Sequence, residues 1–346
     1  MLYVLPATLG VTVMLILMLN PLATVVGLLD QPSMRKQHDG SVPLVGGIAI
    51  YSALILCAVA APAWHAGGGL GLLGLCFPIL AIGIADDRWE VSFKARMALE
   101  VLCCLAAAEW FGVRLEGLGE LWPGTHVALG WVGTPLTVFG MLGVMNAFNM
   151  VDGVDGLSGG LGFMVFGALA LLALPVNPDT SLQLFCFSAS LLGFLLFNSR
   201  FFGRSRAAIF MGDAGTMILG FALSWYLVSL SQGEGAVITP VMALWLFAIP
   251  LLDTAAVSIR RVRRGCSPFR PDRGHLHHLF LAFGLDVNRT VLAILSLQGA
   301  CIAYALASQI LEIPEWFSFW LFIVFFGVYY VATAHACSRK DSLNVC

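Results

Sequence analysis

Long stretches without charge constrain this chain more than any other feature. Residues 1–29 and 40–85 contain no Asp, Glu, Lys or Arg. Similar stretches recur along the rest of the chain, at residues 121–151, 156–178, 181–198, 214–233, 235–252, 290–311 and 316–338. A helix needs roughly 20 apolar residues to cross a bilayer. The pattern therefore predicts an all-α polytopic integral membrane protein with about 11 transmembrane helices, folded as a single domain over residues 1–346.

Composition excludes several other classes of protein. The chain has only 20 acidic and 18 basic residues, and 59% of it is hydrophobic. Only 11% of its residues are charged, against about 25% in a soluble domain. Disordered chains are charge-rich and poor in apolar residues, so disorder is excluded. A net charge of -2 lacks the basic excess of a nucleic-acid-binding protein, so no nucleic-acid partner is expected. Nine cysteines, mostly within predicted helices, do not indicate a disulfide framework.

Basic residues mark one side of the predicted protein. Helices of alternating direction place 17 of the 18 Lys and Arg residues in one set of loops, and only Arg114 lies in the other. The first set comprises residues 29–45, 86–96, 199–210, 260–289 and the tail from 339. Because cytoplasmic loops carry the excess of Lys and Arg, this set is predicted to be cytoplasmic. The N-terminus is then periplasmic and the C-terminus cytoplasmic, and residues 113–129 on the outer side are expected to form a hairpin.

Polar residues gather at the cytoplasmic helix ends in six clusters. These contain Arg35, Lys36 and His38; Asp86, Asp87, Lys94 and Arg96; Asn146, Asn149, Asp152 and Asp155; Asn198 and Asp213; Asp253 with Arg260 to Arg264; and Arg270, Asp272, Arg273, His275, His277 and His278. Carboxylates that hold a divalent cation, with Arg, Lys and His around them, are what an enzyme needs to join two phosphate compounds. The cation neutralises the transferring group, and the basic side chains hold the remaining charge.

Some of these clusters allow a second interpretation. The neighbouring carboxylates of Asp86 and Asp87 repel each other unless a cation lies with them. Small residues at 212–216 begin a predicted helix, whose free backbone N–H groups suit a phosphate. Asp253 precedes Arg260 by about two helical turns, so the two either form an internal ion pair or serve a function.

The basic and histidine-rich segments are also open to alternatives. The run from Arg260 to Arg264 either belongs to the functional site or only enforces topology or meets anionic lipid. The three histidines at 275–278 could indicate zinc, but no cysteine stands nearby at ligand spacing. The neighbouring Arg270 and Arg273 favour an anion instead.

The motifs, in their order along about residues 30–290, resemble the polyprenyl-phosphate N-acetylhexosamine-1-phosphate transferases. The resemblance is carried by Asp86-Asp87, Asn146-x-x-Asn149-x-x-Asp152-Gly-x-Asp155-Gly, Asn198, Gly212-Asp213-Ala-Gly, Ser267 to His278, and Arg35-Lys36-x-His38 with Pro43-x-x-Gly46-Gly47. It implies a ten- or eleven-helix fold in the bacterial inner membrane, a cytoplasmic active site, and a requirement for Mg²⁺ or Mn²⁺.

The resemblance also implies roles for individual residues. Asp213 and Asp87 would hold the metal, and Asp86, Asp87 and Asp213 would be the catalytic group. The remaining motif residues would bind substrate: Arg35, Lys36, His38, Lys94, Asn146, Asn149, Asp152, Asp155, Asn198, Arg270, Asp272, Arg273, His275, His277 and His278. Glu90 stands where the family often has Asp, and Thr216 replaces a usual Ser.

The reaction implied is transfer of N-acetylglucosamine-1-phosphate from UDP-GlcNAc to undecaprenyl phosphate, with release of UMP, as the first membrane step of O-antigen or related polysaccharide synthesis. Another UDP-N-acetylhexosamine or phospho-MurNAc-pentapeptide is the alternative substrate. Membrane lipid is an expected partner, and a homodimer is a further possibility. The competing hypotheses are a proton-coupled transporter that uses Glu100, Glu109 and Asp253, and a scaffold without activity.

Overall fold

A computed structural model describes residues 3–30, 40–267 and 274–342. Thirteen α-helices account for most of these residues. They are α1 Val4–Val26, α2 Gly46–Ala60, α3 Gly69–Trp89, α4 Phe93–Trp110, α5 Gly133–Val151, α6 Leu157–Ala173, α7 Pro178–Asn198, α8 Gly212–Ser229, α9 Pro240–Leu246, α10 Ala248–Arg263, α11 Leu276–Ala282, α12 Val287–Ile310 and α13 Glu315–Ser342. Short 3-10 turns cover Pro62–His65, Gly130–Val132 and Arg200–Phe202.

Two small antiparallel ladders complete the described secondary structure. Strand β1 (Leu29–Asp30) pairs with β2 (Val42–Pro43), with Leu29 opposite Pro43 and Asp30 opposite Val42. Strand β3 (Gly117–Trp122) pairs with β4 (Thr125–Ala128). This second pair confirms the hairpin predicted for residues 113–129, and it follows the end of α4 that lies away from Asp86 and Asp87.

Among the described residues, six helices are individually long and apolar enough to cross a membrane. They are Val4–Val26, Gly69–Trp89, Gly130–Val151, Pro178–Asn198, Val287–Ile310 and Glu315–Arg339. Helices α9 and α10 together make a seventh candidate, bent by 84° at the break between them. Helices α2 and α6 are apolar but shorter. The prediction of an all-α protein with several membrane spans is confirmed, while the count of about 11 spans stays a prediction.

Helix α8 lies at the centre of the fold. Sixteen of its 18 residues are buried, as expected for a helix that is apolar on every side. Glycines let its neighbours approach closely. A Cβ atom on Gly83 of α3 would lie 2.3 Å from the Cα atom of Ala214, and one on Gly47 of α2 would lie 2.3 Å from the Cα atom of Gly215. Because α3 and α8 touch backbone to backbone, the end of α3 is held against the start of α8.

Candidate active site

The end of α3 caps the start of α8. The carboxylate of Asp87 accepts backbone N–H groups from Asp213 at 2.8 Å and from Ala214 at 3.3 Å. Gly212 has a φ of +74°, and a Cβ there would lie 2.5 Å from the Asp87 Oδ2 atom, so glycine is required. The hypothesis that the N–H groups at 212–216 are free for phosphate is wrong for these two donors, because a carboxylate of the chain already satisfies them.

A guanidinium joins the other two carboxylates. The Arg96 Nη1 group donates to Oδ2 of Asp86, and also to Oδ2 of Asp213 at 3.1 Å. The Asp213 side chain is 39% exposed, against 10% for Asp86. Arg96 therefore offsets the repulsion between two acids that meet at one partly exposed spot. We call Asp86, Asp87, Asp213 and Arg96 the carboxylate cluster.

Arg96 is the member of the carboxylate cluster that the family motifs do not identify. It belongs to the polar residues around Asp86 and Asp87, yet it is not among the predicted site residues. Ser92 caps α4 by accepting the backbone N–H of Ala95 at 3.3 Å, which starts the helix and places Arg96 in its first turn. Glu100, one turn further on, is buried close to the same guanidinium. A capped helix start soon after two acids is the only sequence signal for this position.

Asn149 connects α5 to the cluster. Its amide group donates to Oδ1 of Asp213 at 2.9 Å and to the hydroxyl of Thr216 at 2.8 Å. The Thr216 hydroxyl, which replaces a serine hydroxyl, thus retains a hydrogen-bonding role. Asn146, one turn earlier on the same helix, donates to the carbonyl of Leu142 at 2.8 Å. The structure therefore brings Asn149 to the carboxylates, whereas the amide group of Asn146 is held within its own helix.

Asp152 follows directly after α5. Its carboxylate accepts the Ser158 hydroxyl at 2.5 Å. Burial of the carboxylate raises the pKa of Asp152 to about 6 despite this bond. The nearby carboxylates of Asp213 and Asp155 add to the rise. The carboxyl group is therefore still mostly ionised at pH 7, but it takes up a proton at a higher pH than an ordinary aspartate does.

Asp155 and Asn198 hold backbone together. Asp155 accepts Arg200 Nε at 2.7 Å and the backbone N–H of Ala207 at 3.1 Å. The buried amide of Asn198 accepts the N–H of Gly156 at 2.7 Å and donates to the carbonyl of Ile209 at 2.9 Å. Both residues therefore support the loop that carries Asp152.

A buried carboxylate holds the histidine-rich segment. Asp253 of α10 accepts His275 Nδ1 at 2.8 Å, the backbone N–H of Leu276 at 3.1 Å and the Tyr329 hydroxyl at 2.8 Å. The suggested ion pair between Asp253 and Arg260 is wrong within the described residues. Arg260 donates instead to the Thr333 hydroxyl at 2.8 Å and to the Gly274 carbonyl at 2.9 Å.

The three histidines are arranged in series. The rings of His275 and His277 are parallel at 5.9 Å, and His278 lies 4.2 Å from His277. Burial, with the neighbouring rings of His278 and His275, lowers the pKa of His277 to about 3, so its imidazole is neutral at pH 7. A Cβ atom on Gly153 would lie 2.5 Å from His277 Nε2. The residues from Asn146 to Asp155, which we call the Asn/Asp motif, are therefore in contact with the residues from His275 to His278, which we call the histidine segment.

The remaining predicted residues are placed less directly. Lys94 is exposed on α4, where it lines an open surface groove with apolar neighbours. Six further residues lie outside the described residues: Arg35, Lys36, His38, Arg270, Asp272 and Arg273. The flanks of their segments are described. Asp30 precedes the first and is buried, and Gly274 follows the second and is held by Arg260.

The carboxylate cluster suits an open magnesium site better than the closed site that a structural zinc ion needs. Among the described residues, no three His, Cys, Asp or Glu side chains are grouped to hold one ion, so nothing here supports zinc. Mg²⁺ usually takes only one or two carboxylates and completes its shell with water and substrate phosphates. The exposed carboxylate of Asp213, with Asp86 beside it, offers that donor set.

The acids invoked for a proton path are in different places. Glu100 lies near Arg96, Asp253 is enclosed by His275 and Tyr329, and Glu109 accepts the Thr134 hydroxyl at 2.7 Å near the other end of α4. Their bonds point into separate local networks, which does not favour a shared path for protons.

Comparison with known proteins identifies the family of this chain. The model of glycosyl transferase family 4 matches residues 69–231, which include the carboxylate cluster and the Asn/Asp motif. A Haemophilus influenzae protein is 36% identical over 93% of this chain and 90% of its own length. Proteins of Escherichia coli K12 and Yersinia pestis are each 37% identical, over 92% and 88% of this chain and 87% and 83% of their own lengths. All three bear the name undecaprenyl-phosphate alpha-N-acetylglucosaminyl 1-phosphate transferase. The chain therefore belongs to the polyprenyl-phosphate N-acetylhexosamine-1-phosphate transferases of glycosyl transferase family 4.

Proposed function

We propose that this protein transfers N-acetylglucosamine-1-phosphate from UDP-GlcNAc to undecaprenyl phosphate and releases UMP. The observation that carries the proposal is the convergence of Asp86 and Asp213 on Arg96, beside Asn149. Phosphoryl transfer depends on positioning and on charge stabilisation more than on covalent chemistry by the protein. The names of the relatives supply the substrate class.

The reaction is a displacement at phosphorus. An oxygen of the lipid phosphate bonds to the β-phosphorus of UDP-GlcNAc, while the bond from that phosphorus to the bridging oxygen breaks and UMP leaves. The second pKa of a phosphate monoester is about 6, so most of the lipid phosphate is a dianion at pH 7. A strong general base is therefore less necessary than for a hydroxyl nucleophile.

The residues of the carboxylate cluster are assigned different roles, in binding the metal and in orienting the residue that binds it. Mg²⁺, when bound, would neutralise the charge of the phosphates that react. Asp213 is favoured as the principal ligand of Mg²⁺ because its carboxylate is more exposed than that of Asp86, the other acid held by Arg96. Asp87 accepts one backbone N–H group of α8 on each carboxylate oxygen, so only its remaining lone pairs are available to a cation. Its position there orients Asp213, and Asn149 fixes the Asp213 carboxylate from the other side.

The nucleotide sugar is assigned to the surface where the Asn/Asp motif meets the histidine segment. His277 and Gly153 are in contact there, and Asp152 lies next to Gly153. Two described residues that flank the segments 31–39 and 268–273, Asp30 and Gly274, lie close to this surface. The basic residues of these two segments are assigned to the phosphates and the lipid headgroup.

The membrane arrangement is part of the proposal. Helices α2, α4, α6 and α8 would join the seven candidate spans to give 11 crossings. The N-terminus would be periplasmic, and the carboxylate cluster would face the cytoplasm, as the loop charges indicate. The protein would act in the bacterial inner membrane, at the first membrane step of O-antigen or related polysaccharide synthesis.

Release of UMP by the purified protein tests the proposal. The protein is supplied with undecaprenyl phosphate, Mg²⁺ and, in separate reactions, UDP-GlcNAc, UDP-GalNAc or UDP-MurNAc-pentapeptide. We expect UDP-GlcNAc to exceed the other donors by at least about tenfold in kcat/KM, and Mn²⁺ to replace Mg²⁺. Preference for another donor would reassign the sugar, and no UMP from any donor would contradict the proposal.

A second experiment separates direct displacement from a two-step route through an aspartyl-phosphate on Asp86 or Asp213. Asp86→Asn removes a carboxylate nucleophile or base but can still accept the Arg96 hydrogen bond. In Asp86→Asn protein that retains metal binding, direct displacement predicts a loss well under about a hundredfold, whereas a nucleophile or base role predicts a larger one. A trapped phosphoenzyme at either position would establish the two-step route.

A further inference from the structure

A buried polar network connects the histidine segment to the last helix of the chain. The Asp253 carboxylate is almost fully buried and accepts hydrogen bonds from His275, Leu276 and Tyr329. A buried charge is costly unless it is paired and fully hydrogen-bonded. Three donors from two other helices and the segment before α11 therefore define one position for His275.

Arg260 repeats the arrangement two turns further along α10. It is also buried, and it holds Gly274 through the carbonyl and Thr333 through the hydroxyl. The two charged groups of α10 thus each hold one side of His275, and each also contacts α13. Tyr329 and Thr333 are four residues apart, so they lie on the same face of α13.

The rest of α13 does not resemble this face. Val324, Val328 and Val331 are each more than 60% exposed, whereas Tyr329 and Thr333 are 8% and 4% exposed. The outward residues are those expected of a helix in contact with lipid. Its two inward polar residues, Tyr329 and Thr333, bond to Asp253 and Arg260 of α10. These two residues of α10 in turn hold the histidine segment.

We propose that Asp253, Arg260, Tyr329 and Thr333 are positioning residues that hold the histidine segment for the nucleotide sugar. The Asp253 carboxylate fixes the Nδ1 side of His275, as a carboxylate does when it orients a functional imidazole. The parallel stacking of His275 on His277 transmits that orientation to the ring that touches Gly153. This proposal rests on the proposed function, and it adds α13, beyond the matched residues 69–231, to the active-site machinery.

Conservative variants of α13 test the positioning role. Tyr329→Phe removes only the hydroxyl that Asp253 accepts, and Thr333→Val removes only the hydroxyl that Arg260 uses. We expect each to raise KM for UDP-GlcNAc by about three- to tenfold, the usual effect of one lost hydrogen bond. KM for undecaprenyl phosphate should stay within twofold, and Thr333→Ser should restore the wild-type value.

The matched control is the neighbouring tyrosine. Tyr330→Phe removes a hydroxyl that accepts Arg263 at 3.0 Å on the exposed side of α13, so KM should not change. A merely structural role for the network predicts a lower melting temperature and less active protein, with KM for UDP-GlcNAc unchanged. That result in both variants, or an equal change in KM for Tyr330→Phe, would overturn the proposal.

Hydrogen exchange separates this proposal from the proposed function. Backbone amides of residues 274–282 should exchange faster in Tyr329→Phe than in wild type or Tyr330→Phe, whatever the substrate. If wild-type protein releases no UMP, the proposed function fails, while the exchange result still decides whether α13 holds this segment. Unchanged exchange would contradict the positioning role directly.

Discussion

The carboxylate cluster and the histidine segment lie at the same face of the protein, but their charged groups are paired and exposed in opposite ways. In the cluster, one guanidinium is shared by two acids, and the Asp213 side chain is 39% exposed. In the histidine segment, one buried carboxylate receives three donors, and His277 is neutral in a buried position. We therefore expect the cluster to exchange partners with substrate or metal, and the histidine segment to keep one shape.

The largest expected effect follows from removing the exposed acid. Asp213→Asn keeps the size of the side chain but loses the charge that Arg96 and a cation share. We expect UMP release to fall by more than about a hundredfold, with a melting temperature close to wild type. Asp179→Asn is the control, because Asp179 also lies in the first turn of a helix but is exposed on α7. Activity within tenfold of wild type would show that Asp213 is not central.

The equivalent change in the histidine segment should act on stability. Asp253→Asn replaces a charged acceptor by a neutral one, and its amide N–H₂ opposes the donors around it. Hydrogen bonds to charged groups contribute about 1.5–3 kcal/mol, so we expect a loss of about 2 kcal/mol in the free energy of unfolding. Thermal melting in detergent measures it. A loss of stability as large in Asp213→Asn would remove the contrast between the two regions.

Loss of the Arg96 charge should lower both the turnover and the Mg²⁺ concentration that the protein requires. Arg96→Gln removes the positive charge between Asp86 and Asp213, so we expect activity to fall about tenfold. The same loss leaves two repelling carboxylates, which should bind Mg²⁺ at a lower concentration than in wild type. A Mg²⁺ titration of UMP release checks both effects, and Arg96→Lys should retain the wild-type titration. A higher Mg²⁺ requirement in Arg96→Gln would contradict the shared-charge arrangement.

The smallest effect is a pH dependence of stability from His277. The pKa of His277 in the folded protein, about 3, lies below the usual histidine value of about 6.5. The unfolded chain therefore takes up a proton first as pH falls, so the stabilisation is present above pH 6.5 and is lost towards pH 3. Between pH 6.5 and 5.5 the loss is about 1 kcal/mol. The melting temperature of His277→Asn should fall less over this interval than that of wild type.

Asp152 acts in the opposite direction in the same experiment. Its folded pKa is raised to about 6, so the folded state takes up that proton first. Its contribution to stability is present at low pH and is lost as pH rises through 6. Asp152 is present in both proteins, so the difference between wild type and His277→Asn isolates the histidine. Equal slopes in the two proteins would show that His277 is not buried in the neutral state.

The sequence predicts those parts of the protein that depend on local pattern. Charge-free stretches identify the helices of a membrane protein, and the order of the acidic motifs identifies the family. The start of α8 at Gly212 and the outer hairpin also follow from nearby residues. Each of these features is decided within a few tens of residues, so no knowledge of the packing is needed.

Pairing between distant elements could not be predicted in this way. Asp87 caps α8 only because Gly83 lets α3 approach the backbone at Ala214. Arg260 lies only seven residues from Asp253 and is the partner that sequence spacing predicts. Asp253 instead pairs with His275 and with Tyr329, 76 residues further on. Sequence spacing favoured the local ion pair. The tertiary fold satisfied each charge with a different partner, and a single sequence contains no record of that choice.

The fate of the β-phosphate tests the central claim most directly. UDP-GlcNAc labelled with ³²P at the β-phosphate is supplied with undecaprenyl phosphate and Mg²⁺, and the lipid and nucleotide products are separated. Transfer of the sugar phosphate predicts that the lipid carries the label in equal amount to the UMP released. Labelled UDP, with sugar but no label in the lipid, would mean that the protein transfers the sugar alone, and it would contradict the role assigned to the carboxylate cluster.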